Sequence, residues 1–306
     1  MTLSTGIPAT EALYDLAEGI LWDERAQLVR WVDIWKGRVL AAELHGDRLV
    51  TVSDVSLGQT AGAVALAEDG GLLVAAARGL AVISPDGAIS FGPDLLGDRK
   101  GTRFNDGSAD LFGSFVVGSL TIGGDSGEDV LLRVYPNGRV ETIREGVRLS
   151  NGIAFSPDGN TIYHVDTFAH TVSSHSWGFG PFDHREPWVT VLDERHLPAN
   201  PDGLTTDSTG ALWVAQWGGS SVRRHAPDGE LLDVVTVDAL QVSCPGFVGP
   251  ALTTLAITSA QEGLASFTDQ SGAIFLAAVD VTGLPVPRWS GSTTTPYWLL
   301  PGSDLP

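Results

Sequence analysis

The chain has 306 residues, and 18 Lys and Arg face 37 Asp and Glu, giving a formal net charge of −19. A surface this acidic repels phosphate backbones and anionic lipid, which argues against nucleic-acid and membrane partners and suits a soluble protein. The single cysteine, Cys244, excludes an intrachain disulfide and fits a cytoplasmic home.

Met1 to Thr10 holds no basic start followed by an apolar stretch, so no secretory signal is expected. No apolar run approaches the ~20 residues of a membrane span. Ala12 to Ala17 is too short to trust as a helix. From there the chain reads as strand pairs joined by tight turns. Leu28 to Ile34 leads through Lys36-Gly37 to Arg38 to Glu43, and Leu72 to Ala77 is followed by Leu80 to Ser84. Ser114 to Leu120 precedes Val130 to Tyr135, and Ile162 to Asp166 precedes Thr171 to Ser176. Thr205 to Ala215 reads strand, turn, strand. Leu212 to Gln216 leads on to Ser221 to His225, and the last strand candidate is Gly272 to Val281.

A repeat mark stands ahead of each group, as one residue followed by glycine: Glu18-Gly19, Ala61-Gly62, Asp106-Gly107, Asn151-Gly152, Asp202-Gly203 and Pro245-Gly246. Successive glycines are 43, 45, 45, 51 and 43 residues apart, the length of a four-stranded propeller blade. The longer step contains an insertion around Phe179 to Asp193. The expected architecture is all-β, a single domain over residues 1–306, a six-bladed propeller of four-stranded antiparallel blades.

This register separates Asp202 from the other Pro-Asp-Gly tripeptides. Those at Asp86, Asp158 and Asp228 are ordinary turns, in which proline presets φ and glycine accepts a positive one. Gly159 follows Gly152 by seven residues as Gly210 follows Gly203, so Asp158 belongs to a far hairpin, whereas Asp202 falls in phase with Glu18, Asp106 and Asn151. Equivalent positions on innermost strands converge at one end of the channel, and gathered carboxylates are costly without a counter-charge. Glu, Asn and Asp oxygens are hard donors suited to Ca²⁺, Mg²⁺ or Mn²⁺. The rival reading is that they hydrogen-bond neighbouring blades and hold no ion.

Four blocks of the chain resemble, in order and spacing, the SMP-30/gluconolactonase/regucalcin-like family of metal-dependent lactonases, which are six-bladed propellers. They are Ala17-Glu18-Gly19 with Trp22-Asp23 and Trp31-Val32-Asp33; Arg103-Phe104-Asn105-Asp106-Gly107; Ser150-Asn151-Gly152 with Ser156-Pro157-Asp158; and Pro201-Asp202-Gly203 with Leu212-Trp213-Val214-Ala215. The resemblance implies Glu18, Asn151 and Asp202 as ligands of one divalent cation, Ca²⁺ first, with Mg²⁺, Mn²⁺, Zn²⁺ or Fe²⁺ as alternatives. It implies Arg103 and Asn105 as contacts of a small-molecule lactone and Asp202 as general base in lactone hydrolysis. Sugar lactones come first by family likeness. A non-sugar lactone or ester, and a non-catalytic metal-binding propeller, are the alternatives.

Two features sit awkwardly with the resemblance. Register selects Asp106 as the axial residue of the third blade, whereas the family uses Arg103 and Asn105. Strict alternation along a strand allows only one of the adjacent pair, so Asp106 is assigned to backbone capping. Some relatives carry a further acidic substrate contact shortly after the block matched by Gly118-Ser119-Leu120. Here Thr121-Ile122-Gly123-Gly124 occupies that region, with Asp125 as the first acid. Trp35, Phe168, His170 and Trp217 are expected on loops rimming the site, and His164 as a satisfied core residue. No GxSxG, P-loop, HExxH or paired CxxC stretch is present.

Overall fold

The structure, a computed structural model, describes residues 2–11, 13–266 and 270–300. Ala12 falls outside them, and Leu13 to Leu16 form no helix. The chain lays down six consecutive groups of strands. The first is Ala17–Asp23, Leu28–Asp33, Arg38–His45 and Arg48–Ser56, and the second Ala61–Ala67, Leu72–Ala76, Gly79–Ile83 and Ile89–Asp94. The third is Thr102–Ala109, Phe115–Thr121, Asp129–Val134 and Val140–Val147; the fourth is Ser150–Phe155, Thr161–Asp166, Thr171–Ser176 and Val189–Asp193. The fifth is Asn200–Thr206, Leu212–Trp217, Ser221–His225 and Leu231–Thr236. The sixth has only Gln241–Val248, Thr254–Ala260 and Phe275–Ala278 from its own stretch of chain.

The result is a propeller-like ring of small sheets, but not six separate four-stranded ones. Hydrogen bonding gives three four-stranded sheets, one of five strands and one of nine. The nine-stranded sheet joins the fifth and sixth groups through the single pair Trp217 and Gln241, and two N-terminal strands complete it. Thr2–Thr5 runs parallel along the outer edge of Leu231–Thr236, and Ile7–Pro8 pairs antiparallel with Phe275 and Leu276. Arg288–Trp289 adds a parallel fifth strand to the second group. The expected strand over Gly272 to Val281 shrinks to Phe275–Ala278.

The repeat mark has a physical cause. In each group the pairing of the innermost strand with its neighbour slips by one residue, at the mark in the first five and at Ser243-Cys244, just before it, in the sixth; this is a β-bulge, with one extra residue on the innermost strand. At four of the six marks the glycine then permits neighbouring groups to meet backbone to backbone. A Cβ at Gly62 would fall 2.5 Å from the Asn105 carbonyl oxygen, and one at Gly152 would fall 2.6 Å from that of Asp202. At Gly203 it would meet Ser243 O at 2.6 Å, and at Gly246 it would meet Ile20 O at 2.3 Å, closing the last group onto the first. Real Cβ atoms do not approach that closely, so only glycine fits.

Between the sheets lies the core. Val32, Ile34 and Val39 pack on Val64, Leu66 and Val74, and Val116 and Leu131 pack on Ile153, Phe155 and Ile162. Trp31, Trp213 and Trp289 are fully buried, each stabilising the fold by about 4–6 kcal/mol through apolar area alone. The turn aspartates behave as their tripeptides predict: Asp158 is exposed and accepts from Ser156 Oγ at 2.6 Å beside Gly159 at φ 71°. The insertion lies along the outer edge of the third and fourth groups. Arg133 donates to Gly178 O and Gly180 O at 3.0 and 3.1 Å, and Phe182 stacks on His175 at 4.2 Å. No helix among the described residues is long and apolar enough to cross a membrane.

Candidate active site

Glu18, Asn151 and Asp202 occupy the bulged stretch of the first, fourth and fifth innermost strands and line one cavity of about 320 Å³ at the channel mouth. Arg103, Asn105, Gln241 and Glu262 line it too. Asp202 is 4% exposed, although its tripeptide is that of a surface turn. Gly203 explains this: pressed against Ser243 and Cys244, it keeps Asp202 inside a strand.

The hydrogen bonds show which groups are committed. Asn151 Nδ2 donates to Thr167 Oγ1 at 3.3 Å, and Thr167 Oγ1 donates to Pro201 O at 2.8 Å, tying the asparagine to the Asp202 strand. Asn105 is spent on both sides: Oδ1 accepts from Arg103 at 2.8 Å and Nδ2 donates to Ser150 O at 3.0 Å. The same Arg103 nitrogen donates to Phe104 O at 2.9 Å, and the guanidinium lies 4.9 Å from the centre of the Trp35 ring. Burial lowers the Arg103 pKa to about 10. Left without partners among the described residues are the buried oxygens Asn151 Oδ1, Asp202 Oδ1 and Gln241 Oε1, and Nε of Arg103.

Electrostatics concentrate on the same atoms. Burial pushes Glu18 well above the ordinary carboxylate range, and Asp202 and Asp106 add to it. Burial and Asp106 do the same to Asp202. Acids crowded in this way either keep a proton or need a counter-charge. Two hard oxygens without partners beside a buried glutamate fit a hard divalent cation. No three His, Cys, Asp or Glu side chains form a metal-binding group among the described residues, so the amide oxygen of Asn151 would have to supply the third donor.

Asp106 corrects the assumption of strict alternation. Its Oδ1 accepts from the Gly107 N–H at 2.7 Å, the expected backbone cap. Because of the bulge, however, Asp106 and Asn105 both lie at the axis. Asn105 faces the 320 Å³ cavity, and Asp106 faces a second cavity of about 260 Å³ further along the channel, beside Cys244 and Leu284. Burial raises Asp106 to about 6.

The rim is built by the loops after the second strand of each group. Trp35, Phe168 and Trp217 line the cavity as expected. His170 does not. It closes a turn at φ 55°, with its N–H on Thr167 O, because the chain must reverse there to enter the third strand. His164 is a satisfied core residue: Arg144 can only donate, so Nδ1 accepts at 2.8 Å and Nε2 donates to Ser150 Oγ at 2.8 Å. Asp125 is held outside the cavity by Arg148, with Nε at 2.7 Å, while Thr121, Ile122, Gly123 and Gly124 take its place on the wall. Thr167, Gln241 and Glu262 escaped the sequence reading. Glu262 was within reach of it, since it follows the second strand of the sixth group just as Trp35 follows that of the first.

Residues 16–261 match the family described as the SMP-30/gluconolactonase/LRE-like region. The chain belongs to this family. It is 33% identical over 287 residues to the 6-deoxy-6-sulfogluconolactonase of Pseudomonas putida, covering 90% of this chain and 95% of the relative. It is 33% identical over 282 residues to the pentonolactonase XacC of Haloferax volcanii, covering 88% and 93%. A crystal structure of a calcium-binding protein, regucalcin, from Agrobacterium tumefaciens superposes with a TM-score of 0.86 at 26% identity, covering 94% of this chain and 99% of that one. The family match ends within the loop that carries Glu262.

Proposed function

We propose that the chain is a metal-dependent lactonase acting on sugar lactones, built as a single six-bladed propeller in which the nine-stranded sheet counts as two blades. The carrying observation is the pair of unpartnered buried oxygens, Asn151 Oδ1 and Asp202 Oδ1, set beside Glu18 in the cavity that also holds Arg103. The lactonases among its relatives support the reaction class, and the calcium-binding regucalcin supports a divalent cation.

Glu18, Asn151 and Asp202 would hold one divalent cation, Ca²⁺ foremost, which when bound supplies polarisation of the lactone carbonyl and compensation for the developing oxyanion. Asp202 takes the proton of the attacking water on its carboxylate. The water oxygen bonds to the carbonyl carbon, the ring carbon–oxygen bond breaks, and the proton returns from Asp202 to the departing alkoxide. The product is the open-chain hydroxy acid. Arg103 donates to a substrate oxygen, its position fixed by Asn105 and Phe104. Asn105, already committed through both ends of its amide, contributes mainly by holding Arg103 and the Ser150 strand.

A second reading has its own support. Leu16, Leu120, Ile122 and Leu149 on the wall, with Trp35, Phe168 and Trp217, would accept a less polar lactone or ester. A pH-indicator panel of sugar and aliphatic lactones, run with Ca²⁺, Mn²⁺ and Zn²⁺, tests both. Acid release from the sugar lactones is expected, and release from no member of the panel ends the enzyme reading.

A further inference from the structure

Three acids line the mouth cavity, and the proposed cation accounts for two of them. The third, Glu262, comes from the sixth strand group. Its backbone N–H is anchored on Asp15 O at 3.1 Å, so the loop is held to the N-terminal segment while the side chain stands on the cavity wall. Among the described residues no side-chain hydrogen bond or ion pair engages its carboxylate. Its electrostatic partner is Arg103: apart from burial, the largest influence on that guanidinium is the charge of Glu262, ahead of Glu18.

Resting on the lactonase reading, we propose that Glu262 is the residue that selects hydroxylated lactones. Arg103 can only donate and the Glu262 carboxylate can only accept. A donor and an acceptor lining one cavity, with Trp35 and Trp217 lining it too, match a ring that carries several hydroxyls and has a C–H face to pack on an aromatic. An unsubstituted aliphatic lactone offers no hydrogen for the carboxylate and would leave it unpaired, which penalises that substrate. The wall after the third group's second strand has no acid to do this, because Asp125 is engaged by Arg148 outside the cavity. The acidic contact therefore enters from the sixth group.

The test compares wild type with Glu262→Gln and Glu262→Asp on gluconolactone and unsubstituted valerolactone at saturating cation. The ratio of the two kcat/KM values is expected to fall about 10- to 100-fold in Glu262→Gln, chiefly through KM for gluconolactone, with partial recovery in Glu262→Asp. An unchanged ratio overturns the proposal, whether both activities fall together, as for a mere counter-ion of Arg103, or neither falls. If wild type opens neither lactone, the lactonase reading fails, and binding of anhydroglucitol, a ring polyol without a carbonyl, decides about Glu262. Quenching of tryptophan fluorescence in wild type but not in Glu262→Gln upholds it. Equal quenching, or none in either, overturns it.

Discussion

Asn151 lies beside Asp202, and each presents a buried Oδ1 that accepts no hydrogen bond among the described residues. Removing one carboxylate from this pair should separate ion binding from folding. A cation at about 100 times its Kd stabilises a one-site protein by about 2.7 kcal/mol. Wild type should show that rise by thermal shift, and Asp202→Asn should lose it while its metal-free Tm is no lower. Turnover in the variant should fall by about 10²–10⁴, the range of a lost general base. An Asp202→Asn protein that keeps both the shift and the turnover would sink the proposed role.

Asp106 gives a pH signature. Its carboxyl is held at about 6 by burial, against an ordinary 3.8, so between those values the folded protein keeps a proton that the unfolded chain releases. Stability from this group is complete below about pH 4 and declines as pH rises through 6, by at most about 3 kcal/mol. In chelator-treated protein, Asp106→Asn should therefore gain on wild type as pH rises from 4 to 7, measured by denaturant titration. A difference that is flat in pH contradicts the assignment.

The glycine marks predict a contrast between two alanine substitutions. At Gly152 a Cβ meets Asp202 O and Leu204 Cβ, both at 2.6 Å, so Gly152→Ala should cost about 1–3 kcal/mol. Turnover should drop with it, because the displaced backbone carries Asp202. At Gly178 nothing lies within 4 Å, and Gly178→Ala should stay within about 0.5 kcal/mol. Chemical denaturation of the two variants side by side distinguishes them.

Asp125 is the acid nearest in sequence to the wall after the third group, yet its contact is with Arg148 at the surface. Asp125→Ala should leave kcat/KM within about 2-fold, since exposed pairs contribute about 0–1 kcal/mol. By contrast, Arg103→Lys should cost about 10- to 100-fold, because a lysine cannot reproduce the bonds to Phe104 O and Asn105 Oδ1 together with the contact over Trp35.

Much of this geometry was legible in the chain because it rests on period and on glycine. The spacing from Gly19 to Gly246 follows the strand groups and at Gly62, Gly152, Gly203 and Gly246 coincides with a close backbone contact between neighbours, and it placed Glu18, Asn151 and Asp202 in one ring. What escaped did so for nameable reasons. The alternation rule failed at Asn105 and Asp106 because a bulge is a hydrogen-bond slip with no residue signature beyond its glycine. The joining of the fifth and sixth groups rests on one pair, Trp217 and Gln241, below the resolution of any sequence pattern. Glu262 was missed because no strand was assigned between Pro245-Gly246 and Gly272, which left the loop after Thr254–Ala260 unread.

The two N-terminal strands carry a consequence for how the molecule comes undone. Ile7–Pro8 is fastened to Phe275 and Leu276, so the circle is clasped by residues almost a whole chain apart. Bringing such distant ends together in a disordered chain costs about 5 kcal/mol in loop entropy, and two short strands have little hydrogen bonding with which to offset it. The clasp depends on the rest of the ring already being in place to present its partners. It is therefore the last joint to fasten in folding and the first to part under heat or a pulling force, after which the fifth and sixth groups lie open at their outer edges.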